Sequence, residues 1–347
     1  VPGASINLGK NGAYLNTGIP GTGLYERRRL GTAAKKSSSA GKSRTATETG
    51  TEKKLKATPD AETITSTGLE PLRETLENCL QEKNDILLEI TQTKKSLRRS
   101  KALLLFMRIL LIGFFIPYFR RRASDFIDYL DELTQQSDNC KVDINLHTDE
   151  AIGDAFDTLS NAYDALLGCH KVWDITGVWE ADDALSRSGI KQKFVRRAVT
   201  LRRTDPEIVR SRFSALHFGN ANGGDLYVYP AFVLISSLSG IFGVVDIRKL
   251  SLNFNTLDYP EEGIVPSDAE NAGNTWTKVN KDGSPDRRFR DNRSIPLCRY
   301  GLLHFTTDAG LNEVYCLSNA SLAENFYRTF SAYQKLLATV PSAQPPE

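Results

Sequence analysis

The chain has 347 residues, 40% of them apolar and 25% charged, with a net charge of +2. Such averages exclude a collagen, a fully disordered chain and a polytopic membrane protein. The near-neutral total is a cancellation: residues 1–66 carry 11 basic and 5 acidic residues, residues 94–122 carry nine basic residues and no acid, and the remainder sums to −13.

Residues 3–9 and 12–18 repeat a glycine-bounded strand pattern, with Asn11-Gly12 supplying hairpin chemistry between them. Segment 1–30 is therefore expected to be a glycine-rich β segment, too small to bury a core alone and pairing with further strands or other subunits. Val1 is expected to lie inside that segment, truncating it. Residues 31–68 hold 14 Ser/Thr and no aromatic, which predicts a disordered basic linker.

Segment 69–139 reads as helical. Leu69, Leu72, Leu76, Cys79, Ile86, Ile90 and Leu97 follow 3-4 spacing, with Lys83 and Thr93 breaking the seam, a pattern of an amphipathic helix or coiled coil. Within it, 102–119 is an apolar run whose one charge is Arg108. At 1.5 Å per residue it would reach roughly 27 Å, just short of a ~30 Å hydrocarbon core. Lys94, Lys95, Arg98, Arg99 and Lys101 precede it and Arg120, Arg121 and Arg122 follow it. Basic flanks on both sides suit a segment that dips into an anionic leaflet, with Gly113 or Pro117 as the break. A single span and a buried oligomer core helix remain open beside that reading. The membrane-contact candidates are Leu103, Leu104, Leu105, Phe106, Ile109, Leu110, Leu111, Phe114, Phe115, Phe119, Arg120, Arg121 and Arg122.

Residues 140–340 read as an α+β module. A helix is predicted over 149–167, with Thr148 or Asp149 as cap, and another over 322–337 with Ser321 and Glu324 at capping-box spacing. Strands are predicted over 172–179, 194–201, 225–236, 242–254, 297–306 and 312–317. The Pro-rich tail 341–347 is expected to be disordered.

Two surfaces in this module attract attention. The loop 274–293 carries six basic and three acidic residues. Lys278, Lys281, Arg287, Arg288, Arg290 and Arg293, with Trp276 interleaved, suit an anionic ligand. The alternative is that its arginines pair with their own acids. In Asn220–Pro230, Tyr227 and Tyr229 share one face of a strand, either toward a ligand or as core packing.

Searches for chemistry fail. The end of a P-loop at Ala40-Gly41-Lys42-Ser43 has Lys36 where the first glycine belongs. His147, His170, His217 and His304 lie far apart, and the five cysteines have no zinc spacing; they read as reduced thiols. No catalytic residue, metal or cofactor is expected.

The segment GASINLGKNGAYLNTGIPGTGLYERRR, with its Gly18-to-Tyr25 signature, resembles a glycine-rich bacterial domain of unknown function, the 4236 family. The resemblance implies a bacterial origin and no known activity. WDI at 173–175, GGDLYVYP at 223–230 and VNKDGSPDRRF at 279–289 resemble an uncharacterised module attached to such proteins. The order of hairpins and final helix there resembles a pleckstrin-homology-like barrel, a fold that often binds lipid headgroups or peptides.

The reading that results is a non-enzymatic, membrane-associated bacterial protein on the cytoplasmic side of the inner membrane. Its partners would be a bilayer surface, other copies through the helical segment, and an anionic ligand at the C-terminal module. Nucleic acid is not the expected partner. The rivals are a soluble cytoplasmic scaffold with 102–119 as oligomer core, and a nucleic-acid binder or enzyme using 274–293.

Overall fold

Three short strands, β1 (Gly3–Gly9), β2 (Gly12–Gly18) and β3 (Tyr25–Arg29), open a computed structural model. It describes residues 3–9, 12–18, 25–29, 53–54, 63–109, 116–180, 192–236, 240, 242–280 and 284–339. There follow β4 (Lys53–Lys54), α1 (Glu70–Ile109), α2 (Ile116–Asn139), β5 (Val142–Thr148), α3 (Glu150–Leu166), β6 (Val172–Glu180), β7 (Gln192–Ala198), β8 (Leu201–Arg203), β9 (Val209–Ser211) and β10 (Leu216–Phe218). The chain continues through β11 (Asp225–Val228), β12 (Phe232–Ser236), β13 (Phe242–Asp246), β14 (Ser251–Pro260), β15 (Glu270–Trp276), β16 (Ser294–Thr306) and β17 (Asn312–Leu317) to α4 (Ala320–Thr339). Among the described residues this is a mixed α+β fold with four helices, largely antiparallel sheets and a C-terminal helix.

The strands form three sheets. One runs β3-β2-β1-β5-β9, the second β13-β12-β11-β10-β8, and the third β14-β16-β17-β6-β4, with β15 added to β16 and β7 to β6. β1 and β2 pair with Gly9 opposite Gly12, as the repeat requires. The glycine-rich unit then finds its partner within its own chain: β1 lies parallel to β5, Gly3 opposite Asp143. Alternation of Val142, Ile144 and Leu146 buries one face of β5 and leaves its edge to pair.

The core forms where the sheets meet α3 and α4. Phe156, Tyr163, Phe218, Phe305, Phe326, Phe330 and Tyr333 are all buried. The Tyr163 and Phe326 rings lie 6.0 Å apart, those of Phe156 and Tyr333 5.6 Å. α4 sits so close to β16 that a Cβ at Gly301 would fall 2.6 Å from that of Ala323. A smaller cluster gathers Ile175, Tyr259, Cys298, Tyr300 and Cys316.

Several boundaries differ from expectation for local reasons. α4 starts earlier than 322 because Asn319 Oδ1 accepts the Leu322 N–H at 3.0 Å, making Asn319 the cap in place of Ser321. Glu324 instead pairs with Arg328 one turn on. The expected strand 225–236 is two, joined by a turn in which Tyr229 N–H donates to the Phe232 carbonyl. A 3-10 turn at Ile247–Lys249, capped by Asp246, divides 242–254. Most of the expected linker 31–68 and the tail 341–347 lie outside the described residues. Within the linker, β4 pairs with β6, and the backbone N–H of Ser66 donates to Val244 on β13.

Candidate functional site

Polar and basic helix formers dominate 70–101, and Pro71 stands in the first turn of α1, where its missing N–H costs little. Pro117 occupies the same kind of place in α2. α1 and α2 pack antiparallel as an arm. Cys79 near the start of α1 meets Cys140 just past the end of α2, and farther out the Tyr129 hydroxyl donates to Glu89 at 2.6 Å. Leu69, Leu72, Leu76 and Cys79 root α1 in the core. Lys83 and Thr93, read as breaks, keep the 3-4 seam: both are buried, and the Lys83 ammonium reaches Glu207 at 2.7 Å. Farther along α1, no ion pair to the body is present among the described residues. The roughly 26 residues beyond Lys83 extend about 39 Å.

The described parts of the apolar run 102–119 lie at the far end of this arm, 102–109 closing α1 and 116–119 opening α2. Among the described residues no helix is long and apolar enough to cross a membrane. Leu103, Leu105, Phe106 and Tyr118 are exposed, Leu105 at 62% and Phe106 at 55%. Leu104 and Phe119 are half-buried. Ile109 ends α1, whereas Leu110, Leu111, Phe114 and Phe115 lie outside the described residues. Behind the tip, Lys94, Lys95, Arg98, Arg99 and Lys101 on α1 and Arg120, Arg121 and Arg122 on α2 are all exposed. Exposed apolar side chains thus stand beside an exposed basic collar at this end of the arm.

The 277–293 loop is held by its own side chains. Asn292 Nδ2 donates to the Lys278 and Asp286 carbonyls at 2.7 and 3.2 Å, and its Oδ1 accepts from Thr277 Oγ1 and the Lys278 N–H. Buried Asp286 grips Arg288 with both oxygens, at 2.8 and 2.5 Å. Arg288 is thus committed to a structural pair, while Arg287, Arg290 and Arg293 are exposed. Lys278 sits 5.9 Å from the Phe289 ring, and Trp276 is 36% exposed. Lys281 lies outside the described residues.

The two tyrosines part company. Tyr229 is fully buried and its hydroxyl donates to Asp205 at 2.7 Å, so it is spent on packing; it lies beyond the end of β11 and escapes the alternation that the sequence suggested. Tyr227 is half-buried, 4.7 Å from the His217 ring. Burial raises its hydroxyl to about 12. His217 Nε2 lies 3.0 Å from Asp225 Oδ2, and the Asn220 N–H donates to the other Asp225 oxygen. Burial works against the Asp225 charge, but these bonds prevail and hold its pKa below the ordinary value. The Tyr163 hydroxyl donates to the His217 backbone carbonyl, but among the described residues the imidazole itself is bonded to Asp225 and to no hydroxyl or thiol, so the pair orders β10 against β11. Among them, too, no group of His, Cys, Asp or Glu is placed to hold a metal ion.

A groove of about 970 Å³ runs between α4 and residues 64–67, lined by Ser66, Arg248, Lys249, Tyr327 and Lys335 among others. Sequence reasoning missed it because its walls come from four distant segments. It also missed the thiol pair Cys79–Cys140, whose 61-residue separation carries no motif. No protein-family model, no curated protein and no solved structure matches the chain.

Proposed function

We propose that the chain is a non-enzymatic, membrane-associated protein whose helical arm lays its apolar tip into a bilayer surface. The exposure of Leu105 and Phe106 at the end of the arm carries this reading. Each would gain about 1.5–3 kcal/mol on leaving water. The collar of Lys94 to Lys101 and Arg120 to Arg122 suits anionic headgroups at about 1 kcal/mol per charge. Two helix ends meeting at the tip favour a dip into one leaflet over a span. The resemblance of the N-terminal segment favours a bacterial origin, and the basic residues on both sides of the apolar run favour the anionic cytoplasmic leaflet of the inner membrane. The hairpins β11–β12 and β16–β17, followed by α4, support a pleckstrin-homology-like module as the finer fold. Its groove and basic loop offer surfaces for a ligand or partner.

Co-sedimentation of the full chain with vesicles tests the reading. Recovery in the pellet is expected with phosphatidylglycerol/phosphatidylcholine vesicles, and at least tenfold weaker binding for the Leu105→Glu, Phe106→Glu double variant. Full recovery in the supernatant with those vesicles would defeat it. A discrete oligomer in that supernatant would favour packing of the tip between copies.

A further inference from the structure

We infer that Cys79 and Cys140 are a redox-modification site, a thiol pair that a hydroperoxide converts to a disulfide closing the helical arm at its base. The inference goes beyond the membrane reading and holds whatever the tip touches. The two sulfurs lie 3.6 Å apart, and the Cys140 thiol donates to the Cys79 carbonyl at 3.3 Å. An approach of about 1.5 Å would bring them to the 2.03–2.05 Å of a disulfide. Cys140 stands in the non-helical turn between α2 and β5, so its backbone can yield, whereas Cys79 is fixed in a packed helix. None of the other cysteines shares this geometry among the described residues: Cys298 and Cys316 are buried in the third sheet and Cys169 follows α3.

Exposure assigns the order of events. Cys140 is half-buried and meets the oxidant first; Cys79 is buried, and burial, then its contact with Cys140, pushes its thiol up to about 12. The Cys140 thiolate attacks the peroxide oxygen, the O–O bond breaks, and Cys140 sulfenic acid forms with release of an alcohol, or of water from hydrogen peroxide. Cys79 sulfur then displaces the sulfenic hydroxyl, the S–S bond forms, and the Cys79 proton leaves with that hydroxyl as water. Two thiols are oxidised and one hydroperoxide is reduced. The poor nucleophilicity of Cys79 is offset because it is already in contact with its target.

The experiment uses the full, reduced chain and a tenfold excess of hydrogen peroxide, followed by thiol blocking. Non-reducing digestion and mass spectrometry should yield one cross-linked peptide joining Cys79 and Cys140, and the five titratable thiols should fall by two. Trypsin cleavage at Arg120–Arg122 provides an independent readout. The two fragments of oxidised protein should stay together on a denaturing gel until reductant is added, whereas those of the Cys140→Ser variant should separate at once. Five surviving thiols, sulfinic acid at Cys140 without a link, or separation without reductant would each overturn the inference. Because neither readout involves lipid, failure here and failure of the membrane reading are distinguishable.

Discussion

Arg196 and Glu261 form a closed ion pair, with Arg196 Nη2 3.0 and 3.3 Å from the two Glu261 oxygens. Trp173 and Tyr259 cover the guanidinium at 4.6 and 4.1 Å, and the Tyr300 hydroxyl donates to Glu261 at 2.8 Å. Burial opposes the Arg196 charge, yet Glu261 holds its pKa above the ordinary value. Glu261→Ala would leave that charge boxed by rings and should cost about 3–5 kcal/mol. Urea unfolding checks it; a loss below about 1 kcal/mol would mean that water enters the box.

Gly301 sets the distance between β16 and α4. A methyl group there meets Ala323 Cβ at 2.6 Å and Ala320 Cα at 3.1 Å, a rigid helix surface rather than a flexible side chain. Gly301→Ala should therefore destabilise by about 1–3 kcal/mol. Ala323→Gly in the same chain should restore part of the loss, as read from denaturant midpoints.

Asp174 is fully buried, and burial raises its carboxyl pKa against the pull of the Ala221 N–H and Arg197. The native chain thus keeps this proton to higher pH than the unfolded chain does. Stability from this group falls as pH rises from 3.8 through the raised value, and the deficit persists above it. Asp174→Asn keeps an acceptor for Ala221 and removes the charge. Its thermal midpoint should rise about 2–4 °C at pH 7 and hardly change at pH 3. A lower midpoint at pH 7 would show that the carboxylate is compensated.

Arg120, Arg121 and Arg122 are exposed on the side of the tip. Replacing all three by Ser should weaken binding to anionic vesicles on the order of 100-fold, at about 1 kcal/mol per charge. Binding of the unaltered chain should also weaken with salt, as the Debye length shrinks from about 8 Å at 0.15 M to 3 Å at 1 M. Binding indifferent to both changes would assign the contact to apolar surface alone.

The helices were legible where apolar spacing is regular: Ile152, Phe156, Leu159, Tyr163 and Leu166 mark α3, and Phe326, Phe330, Tyr333 and Leu337 mark α4. β5 was missed although Val142, Ile144 and Leu146 alternate cleanly, because Asp143, Asn145 and His147 give the segment a loop-like composition. β10 is three residues long and buried throughout, too short for any period to show. Lys83 and Thr93 misled for the opposite reason: a seam position is set by geometry, and Lys83 can occupy one because Glu207 neutralises its head. At the site, the apolar run was visible as composition. That it ends an arm follows from α1 turning back as α2, which composition does not encode.

The parallel pairing of β1 with β5 also has a temporal side. Gly3 must find Asp143, so the first strand leaves the ribosome on the order of ten seconds before its partner at 5–20 residues per second. The β1–β2 ribbon can zip at once, since Gly9 lies opposite Gly12. Its docking edge then waits through the synthesis of the linker and the whole arm. During that interval the nascent chain carries an open strand edge and, later, an apolar arm tip. The fold completes its first sheet only after β5, and then β9, have appeared, so β1 is placed long after it is made.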